Sequence, residues 1–355
     1  MSMELRNIEK RVGAEIHIHD TSLTLADDGF NILLGTTLSG KTTLMQLMAG
    51  IDRPTSGEIW FNGQNVTGVP VQKRNVSMVY QQFINYPNLS IYENIASPLR
   101  VARMTASEID RRVGQAAELM RLTPMLQRRP SELSGGQQQR TAMARALVKD
   151  ADLILFDEPL ANLDYKLREE LRDELPKIFA ERRCIVVYAT TEPTEALLLG
   201  GHTALLHEGR VTQFGPTSQI YRHPKDLLSA QVFSDPPINI AAVDKKGDRI
   251  ILSDTVAWDA PGPLRSVPDG SYTIGIRPHH ISPAETGSQP VAIEGEVLVT
   301  EISGSESVVH FRLAGRSWVS QSHGIHAIEV GQHAQLYADV SKTMLFGSDN
   351  QLVAG

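Results

Sequence analysis

The chain has 355 residues, with 34 Lys or Arg against 41 Asp or Glu, a formal net charge of −7. At ordinary domain sizes that length implies roughly two domains, or three, and the acidic balance argues against a broad nucleic-acid-binding face. The single cysteine, Cys184, excludes an internal disulfide and so a disulfide-stapled secreted scaffold.

The N-terminus, MSMELRNIEK, lacks the apolar core of a signal peptide. The first buried-strand candidate is FNILL at 30–34, ending at Gly35, with a helix candidate over 41–49. Apolar runs at 76–80, 153–156 and 184–189 have strand length, and helical patterns lie between them. Together they predict an α/β core with a largely parallel sheet over residues 1–235. Residues 83–150 break the rhythm: Thr105-Ala-Ser-Glu108 has capping-box spacing and an amphipathic run follows to about Leu122. That stretch reads as a helical subdomain inserted between two core strands.

Further along, Asp164 is placed to cap a helix in which Leu167, Leu171 and Leu175 recur every four residues, and Pro176 is expected to bend or end it. The longest apolar stretch, 195–207, is interrupted by Gly, His and Glu and falls short of the ~20 apolar residues of a membrane helix. After Asp235-Pro-Pro237 helix signals fade. Runs such as 291–301 and 307–313 alternate like strands, so 236–355 reads as a small β-barrel-like domain.

Three motifs carry chemistry. Gly35-Thr36-Thr37-Leu38-Ser39-Gly40-Lys41-Thr42, followed by Thr43, fits G-x-x-x-x-G-K-[ST] between a strand and a helix. In that context loop N–H groups face phosphate oxygens, Lys41 reaches the β/γ-phosphates and Thr42 offers a hydroxyl to Mg²⁺. The strand at 153–156 ends in Asp157 and Glu158. Asp157 is placed to organise Mg²⁺, and Glu158 to orient and deprotonate a water; alone, the pair would read as an ordinary acidic turn. In Leu133-Ser134-Gly135-Gly136-Gln137, Ser134 can cap a helix whose glycines leave its N-terminus bare for a phosphate.

With these motifs in this order, the chain resembles the ATP-binding cassette ATPases, whose distinguishing signature is LSGGQ. Val79-Tyr80-Gln81 resembles their Q-loop, continued by Tyr86-Pro-Asn-Leu-Ser90, and Asn162-Leu163-Asp164 resembles their D-loop. It is similar in particular to the ATPase subunits of bacterial carbohydrate and polyol importers. There Pro-Pro-Ile-Asn at 236–239 and Ile-Gly-Ile-Arg-Pro at 274–278 have counterparts around a C-terminal OB-like regulatory domain. The resemblance implies a P-loop NTPase cassette with a helical insertion at about 83–150, then a β-rich OB-like (TOBE-type) domain.

It also implies ATP and Mg²⁺ as cofactors, with Thr42, Gln81 and Asp157 near the metal. Two cassettes would sandwich two ATP molecules head to tail, so that Ser134, Gly135, Gly136, Gln137 and Asp164 serve the nucleotide of the other subunit. The implied partners are integral-membrane permease subunits docking near 81–98, a second ATPase subunit and, indirectly, a solute-binding protein, with no nucleic acid. The implied location is the cytoplasmic face of the bacterial inner membrane, held peripherally.

The sequence departs from the family pattern at three places. Thr36, Thr37 and Leu38 stand where the phosphate loop usually has Pro, Ser and Gly. A Leu at 38 is expected to resist positive φ and to crowd the phosphate path. Val12 stands where the family has an adenine-stacking aromatic residue, and Thr191 where it has the switch histidine, in Thr190-Thr191-Glu192-Pro193. Neutral drift or a small register error would explain these losses. So would an asymmetric pair in which this chain keeps one weak site and completes a strong one on a different ATPase, with a heterodimer favoured over a homodimer. A soluble non-transport cassette ATPase and a largely non-hydrolytic regulatory partner are the alternatives. His17, His19, His279 and His280 lack metal-site spacing and read as surface or turn histidines.

Overall fold

An apolar run can be buried on both sides only inside a covered sheet. In the computed structural model, which describes every residue except Asp28 and Glu181, the run Phe30–Leu34 is such a strand, buried throughout. It is β3. Before it, β1 (Met3–Val12) and β2 (Glu15–Leu25) form an antiparallel hairpin that joins β4 (Ser56–Phe61) and β5 (Gln64–Asn65) in the order β2-β1-β4-β5. No motif announces this second sheet, because its strands carry more polar than apolar residues.

The main sheet adds β6 (Val76–Val79), β7 (Leu153–Asp157), β8 (Ile185–Thr190), β9 (His202–His207) and β10 (Arg210–Pro216), in the order β10-β9-β3-β8-β7-β6. All its pairings are parallel except β9 with β10. The helix α1 (Lys41–Ala49) shares one core with both sheets: Leu44, Leu47 and Met48 cluster with Leu33, Leu155 and Val187 and with Ile8, Ile18 and Ile59. Each such buried aliphatic side chain stabilises the fold by about 1.5–3 kcal/mol relative to exposure.

Between β6 and β7 lie α2 (Ile91–Val101), α3 (Ala106–Leu119) and α4 (Gly135–Leu147), capped by Ser90, Thr105 and Ser134. The next helix, α5 (Tyr165–Ala180), starts with Asp164 accepting the Leu167 N–H at 3.0 Å and buries Leu167, Leu171 and Leu175. Pro176 does not end it. Proline deletes only one backbone bond, and Phe179 beyond it is anchored edge-on against Phe30, ring centroids 5.8 Å apart. Then α6 (Pro193–Leu199) follows β8.

The chain divides into two compact units, Met1–Thr217 and Ser218–Gly355. Two short helices, α7 (Thr217–Arg222) and α8 (Leu227–Val232), lead into the second unit. There one sheet is built on β11 (Asn239–Lys246), which pairs with β12 (Arg249–Ile251) on one side and β14 (Gly270–Ile276) on the other, β12 pairing in turn with β13 (Ala257–Asp259). A five-stranded sheet contains β15 (Ile281–Ser282), β16 (Pro290–Ile302), β17 (Glu306–Leu313), β18 (Arg316–His323) and β19 (His333–Asp339). β20 (Met344–Phe346) and β21 (Leu352–Ala354) extend the first sheet, and all pairings are antiparallel. Ile250, Ile274, Phe311, Trp318 and Leu336 from the two sheets form one core, giving a β-rich, barrel-like domain of OB-like type. No helix among the described residues is long and apolar enough to cross a membrane.

Candidate functional site

β3 ends against the neighbouring strands, and the next residue must be small. A Cβ on Gly35 would meet the Ser39 hydroxyl at 2.6 Å. The loop then turns through Leu38 at φ 67 and Gly40 at φ 101 into α1. Leu38 therefore does adopt the left-handed conformation, contrary to expectation. Its side chain is 95% exposed, so the neighbouring backbone, not packing, holds it there, at a cost of roughly 1–2 kcal/mol.

Lys41 opens α1 and is 4% exposed. Its Nζ donates to the carbonyls of Gly35 at 2.8 Å and Thr36 at 3.0 Å and lies 3.4 Å from Glu158 Oε1. Burial pulls the ammonium below its usual range, while the Glu158 and Asp157 carboxylates oppose that shift. The other Glu158 oxygen, Oε2, accepts from Gln81 Nε2 at 3.0 Å. Thr42 Oγ1 donates to Asp157 Oδ2 at 2.8 Å. Asp157 is buried, its Oδ1 has no partner, and burial raises its carboxyl against the Thr42 bond. An orphaned buried carboxylate oxygen on a group already bonded to a hydroxyl is a hard, oxygen-rich setting that suits Mg²⁺, which takes one or two carboxylates and completes its shell with phosphate and water. No group of three or more His, Cys, Asp or Glu that could hold a metal converges among the described residues.

These groups open into a cleft of about 630 Å³ lined by residues 37–43, Gln81, Glu158 and Glu208-Gly209. Glu15, Ile16, His17 and His19 of β2 form its remaining wall. Metal-site spacing is the wrong guide to these two histidines. Simple strand alternation does not find them either, because β2 is irregular between Ile18 and Ile16, which pair with the adjacent Lys10 and Arg11.

Val12 ends β1 paired with Glu15, is 52% exposed and does not line the cleft. Thr191 is exposed, one residue beyond Thr190, whose carbonyl accepts the Gly35 N–H at 3.4 Å. Beneath it lies a polar network. Thr190 and Tyr188 donate to Glu195 Oε2 at 2.6 and 3.1 Å, and Arg172 of α5 reaches Glu195 at 3.1 Å and Glu192 at 2.7 Å. The backbone at position 191 is thus firmly held, although no imidazole stands there.

The signature is elsewhere. Ser134 Oγ accepts the Gln137 N–H at 3.4 Å, and Gln137 Oε1 accepts the Ser134 N–H at 2.9 Å, a complete capping box. Ser134 and Gly135 are exposed. Gly136 packs on the loop preceding Asp164, where an added Cβ would lie 3.2 Å from the Asn162 carbonyl oxygen. None of residues 133–137 lines the cleft, so the chain does not bring its signature to its own phosphate loop.

A strand, phosphate loop and helix, with a buried Asp and a half-buried Glu at the end of a parallel strand of the same sheet, define a P-loop nucleotide-binding protein. The ABC transporter family matches residues 18–161 and the TOBE domain family residues 274–346. The sn-glycerol-3-phosphate import ATP-binding proteins UgpC of Pectobacterium atrosepticum and Ralstonia nicotianae are 34% and 32% identical over 94% and 95% of this chain and 94% of their own lengths. The uncharacterized ABC transporter ATP-binding protein YcjV of Escherichia coli is 29% identical over 99% of this chain and 98% of its own. A solved structure, the dimeric post-hydrolysis state of the ATP-binding cassette MJ0796 bound to ADP and Pi, superimposes with TM-score 0.56 at 29% identity, covering 61% of this chain and 98% of that one. The chain belongs to the ATP-binding proteins of ABC transporters.

Proposed function

We propose that the chain is the ATP-binding and hydrolysing subunit of an importer for a sugar or polyol, with glycerol or its phosphate ester as the favoured solute class. The observation that carries the ATPase reading is that Lys41, Thr42, Gln81 and Glu158 line one cleft, with Asp157 buried and bonded to Thr42. The solute class rests on the names of relatives that match nearly end to end. Cleft residues 35–43 would receive the triphosphate, with loop N–H groups and the α1 N-terminus facing its oxygens. Lys41 would exchange its carbonyl and Glu158 contacts for β- and γ-phosphate oxygens. That exchange frees Glu158, still steered by Gln81, to orient a water in line with the γ-phosphate. Thr42, Asp157 and Gln81 would hold Mg²⁺, which neutralises charge on the β- and γ-oxygens when bound.

The exposed signature at 133–137 fits a head-to-tail pair in which it completes the site of a second ATPase subunit. We favour a different chain as that subunit. Val12, Leu38 and Thr191 weaken only the face that serves this chain's own nucleotide, while Glu158 is kept. A cleft of about 230 Å³ between β6, α2 and α4, lined by Met78, Tyr86, Pro98 and Arg145, supports docking of a permease helix near 81–98. On this reading the protein sits peripherally at the cytoplasmic face of the inner membrane, and 236–355 is its regulatory domain.

Lys41→Ala removes the main side-chain countercharge for phosphate. Titration of the isolated subunit with a fluorescent ATP analogue is expected to show weakened binding. Unchanged affinity would contradict the assignment of 35–42 as the phosphate loop.

A further inference from the structure

The wall of the nucleotide cleft formed by β2 has a fixed position relative to the phosphate loop. The Gly209 N–H donates to the Ser39 carbonyl at 3.0 Å, and the His19 N–H donates to the Gly209 carbonyl at 2.9 Å. The contact is close: a Cβ on Gly40 would lie 2.8 Å from Ile18 Cδ1 and 3.3 Å from the His17 carbonyl oxygen. One residue of the β9–β10 turn therefore ties β2 to the loop, and Ile18 anchors the strand in the core. β2 is irregular here, since Ile18 and Ile16 pair with the adjacent Lys10 and Arg11, and Ile16, His17 and His19 all line the cleft.

Within the cleft the ends differ. Lys41, Thr42 and Glu158 mark the phosphate end. His19 lies by Gly209, next to the loop; its Cδ2 would be 3.5 Å from a Cβ there. His17 is one strand repeat closer to the β1–β2 hairpin tip and is flanked by Glu15, whose Oε2 is 3.8 Å from its Nε2. Val12, across from Glu15 at that tip, is outside the cleft and has no flat face to offer.

We propose that His17 is the base platform of this chain's own nucleotide site: its imidazole stacks on the purine of a nucleotide whose phosphates rest on 35–42. The inference rests on reading 35–42 as the phosphate loop, and it relocates the ring that position 12 lacks. Stacking on an aromatic face tolerates any base, because every base has a π-face. The site is therefore weakly selective between adenine and guanine.

The test is calorimetric titration of the full chain, with Mg²⁺ present, using ATP, GTP and inorganic triphosphate. His17→Ala is expected to lose about tenfold in affinity for both ATP and GTP and nothing for triphosphate. His17→Phe is expected to restore nucleotide affinity, and His17→Gln, which keeps polarity without a ring, is not. Wild-type affinity for ATP in His17→Ala, an equal loss for triphosphate, or rescue by His17→Gln would each overturn the proposal. Failure of the wild-type chain to bind triphosphate would overturn the phosphate-loop reading beneath it, so the two failures are told apart.

Discussion

Two surfaces of the first unit carry the nucleotide motifs, the signature on one and the phosphate loop on the other, and they are built differently. On the signature surface, Ser134 and Gln137 close a full capping box, Gly136 is packed on the Asn162 carbonyl, and Asp164 caps α5. On the phosphate-loop surface, the left-handed turn is made by Leu38 where glycine would be free of strain, Val12 lies outside the cleft, and Thr191 has no imidazole. Yet the groups proposed to touch phosphate, metal and water there, namely Lys41, Thr42, Asp157 and Glu158, are assembled within hydrogen-bond or ion-pair distance. The contrast separates two requirements. Binding phosphate needs the loop and its lysine, whereas fast turnover also needs a firmly held base and a preorganised donor at the γ-phosphate. On the proposed asymmetry this chain keeps the loop and lysine, takes its base platform from His17 and lacks the γ-phosphate imidazole, while keeping the signature it would lend to a second ATPase.

The largest effect predicted from that contrast lies on the intact surface. Ser134→Arg puts bulk and an unmatched donor where a partner's γ-phosphate docks. ATPase activity of the assembled complex is expected to fall by on the order of a hundredfold or more, while nucleotide affinity of the isolated subunit is unchanged. Equal loss in the isolated subunit would mean that 133–137 serve this chain's own nucleotide. A much smaller effect is expected on the weakened surface. Leu38→Gly removes a left-handed Leu that packs on nothing, at the cost of a more flexible unfolded chain. The net gain is about 1 kcal/mol or less, read as a higher denaturation midpoint at constant slope. A clear loss of stability would show that Leu38 packs on its surroundings.

Much of this architecture is legible in the chain itself. The strand at 30–34, the helix at 41–49 and the cap at Asp164 all fall where apolar runs and capping residues put them, because each is a local rule obeyed by adjacent residues. The antiparallel sheet of β1, β2, β4 and β5 is not legible in that way. Its strands are more polar than apolar and pair across the intervening β3 and α1, so no local pattern marks them. The continuation of α5 past Pro176 depends on Phe179 finding Phe30 and Phe156, both distant in sequence, a tertiary contact that overrides a local breaker. Of the site, the motifs name Lys41, Thr42, Asp157 and Glu158. They do not name His17 and His19, which enter the cleft only through the turn at Gly209.

Unequal nucleotide sites in the assembled transporter are the central claim, and one pair of rates tests it. Complexes purified with the permease would carry Glu158→Gln in this chain or the equivalent Glu→Gln in the second ATPase. A site without the γ-phosphate imidazole is expected to run about 10²–10³ slower than a complete one. Glu158→Gln should therefore lower total ATPase only modestly, and the partner substitution should abolish it. Equal and complete loss from both substitutions, or brisk hydrolysis by this chain paired with itself, would contradict the account.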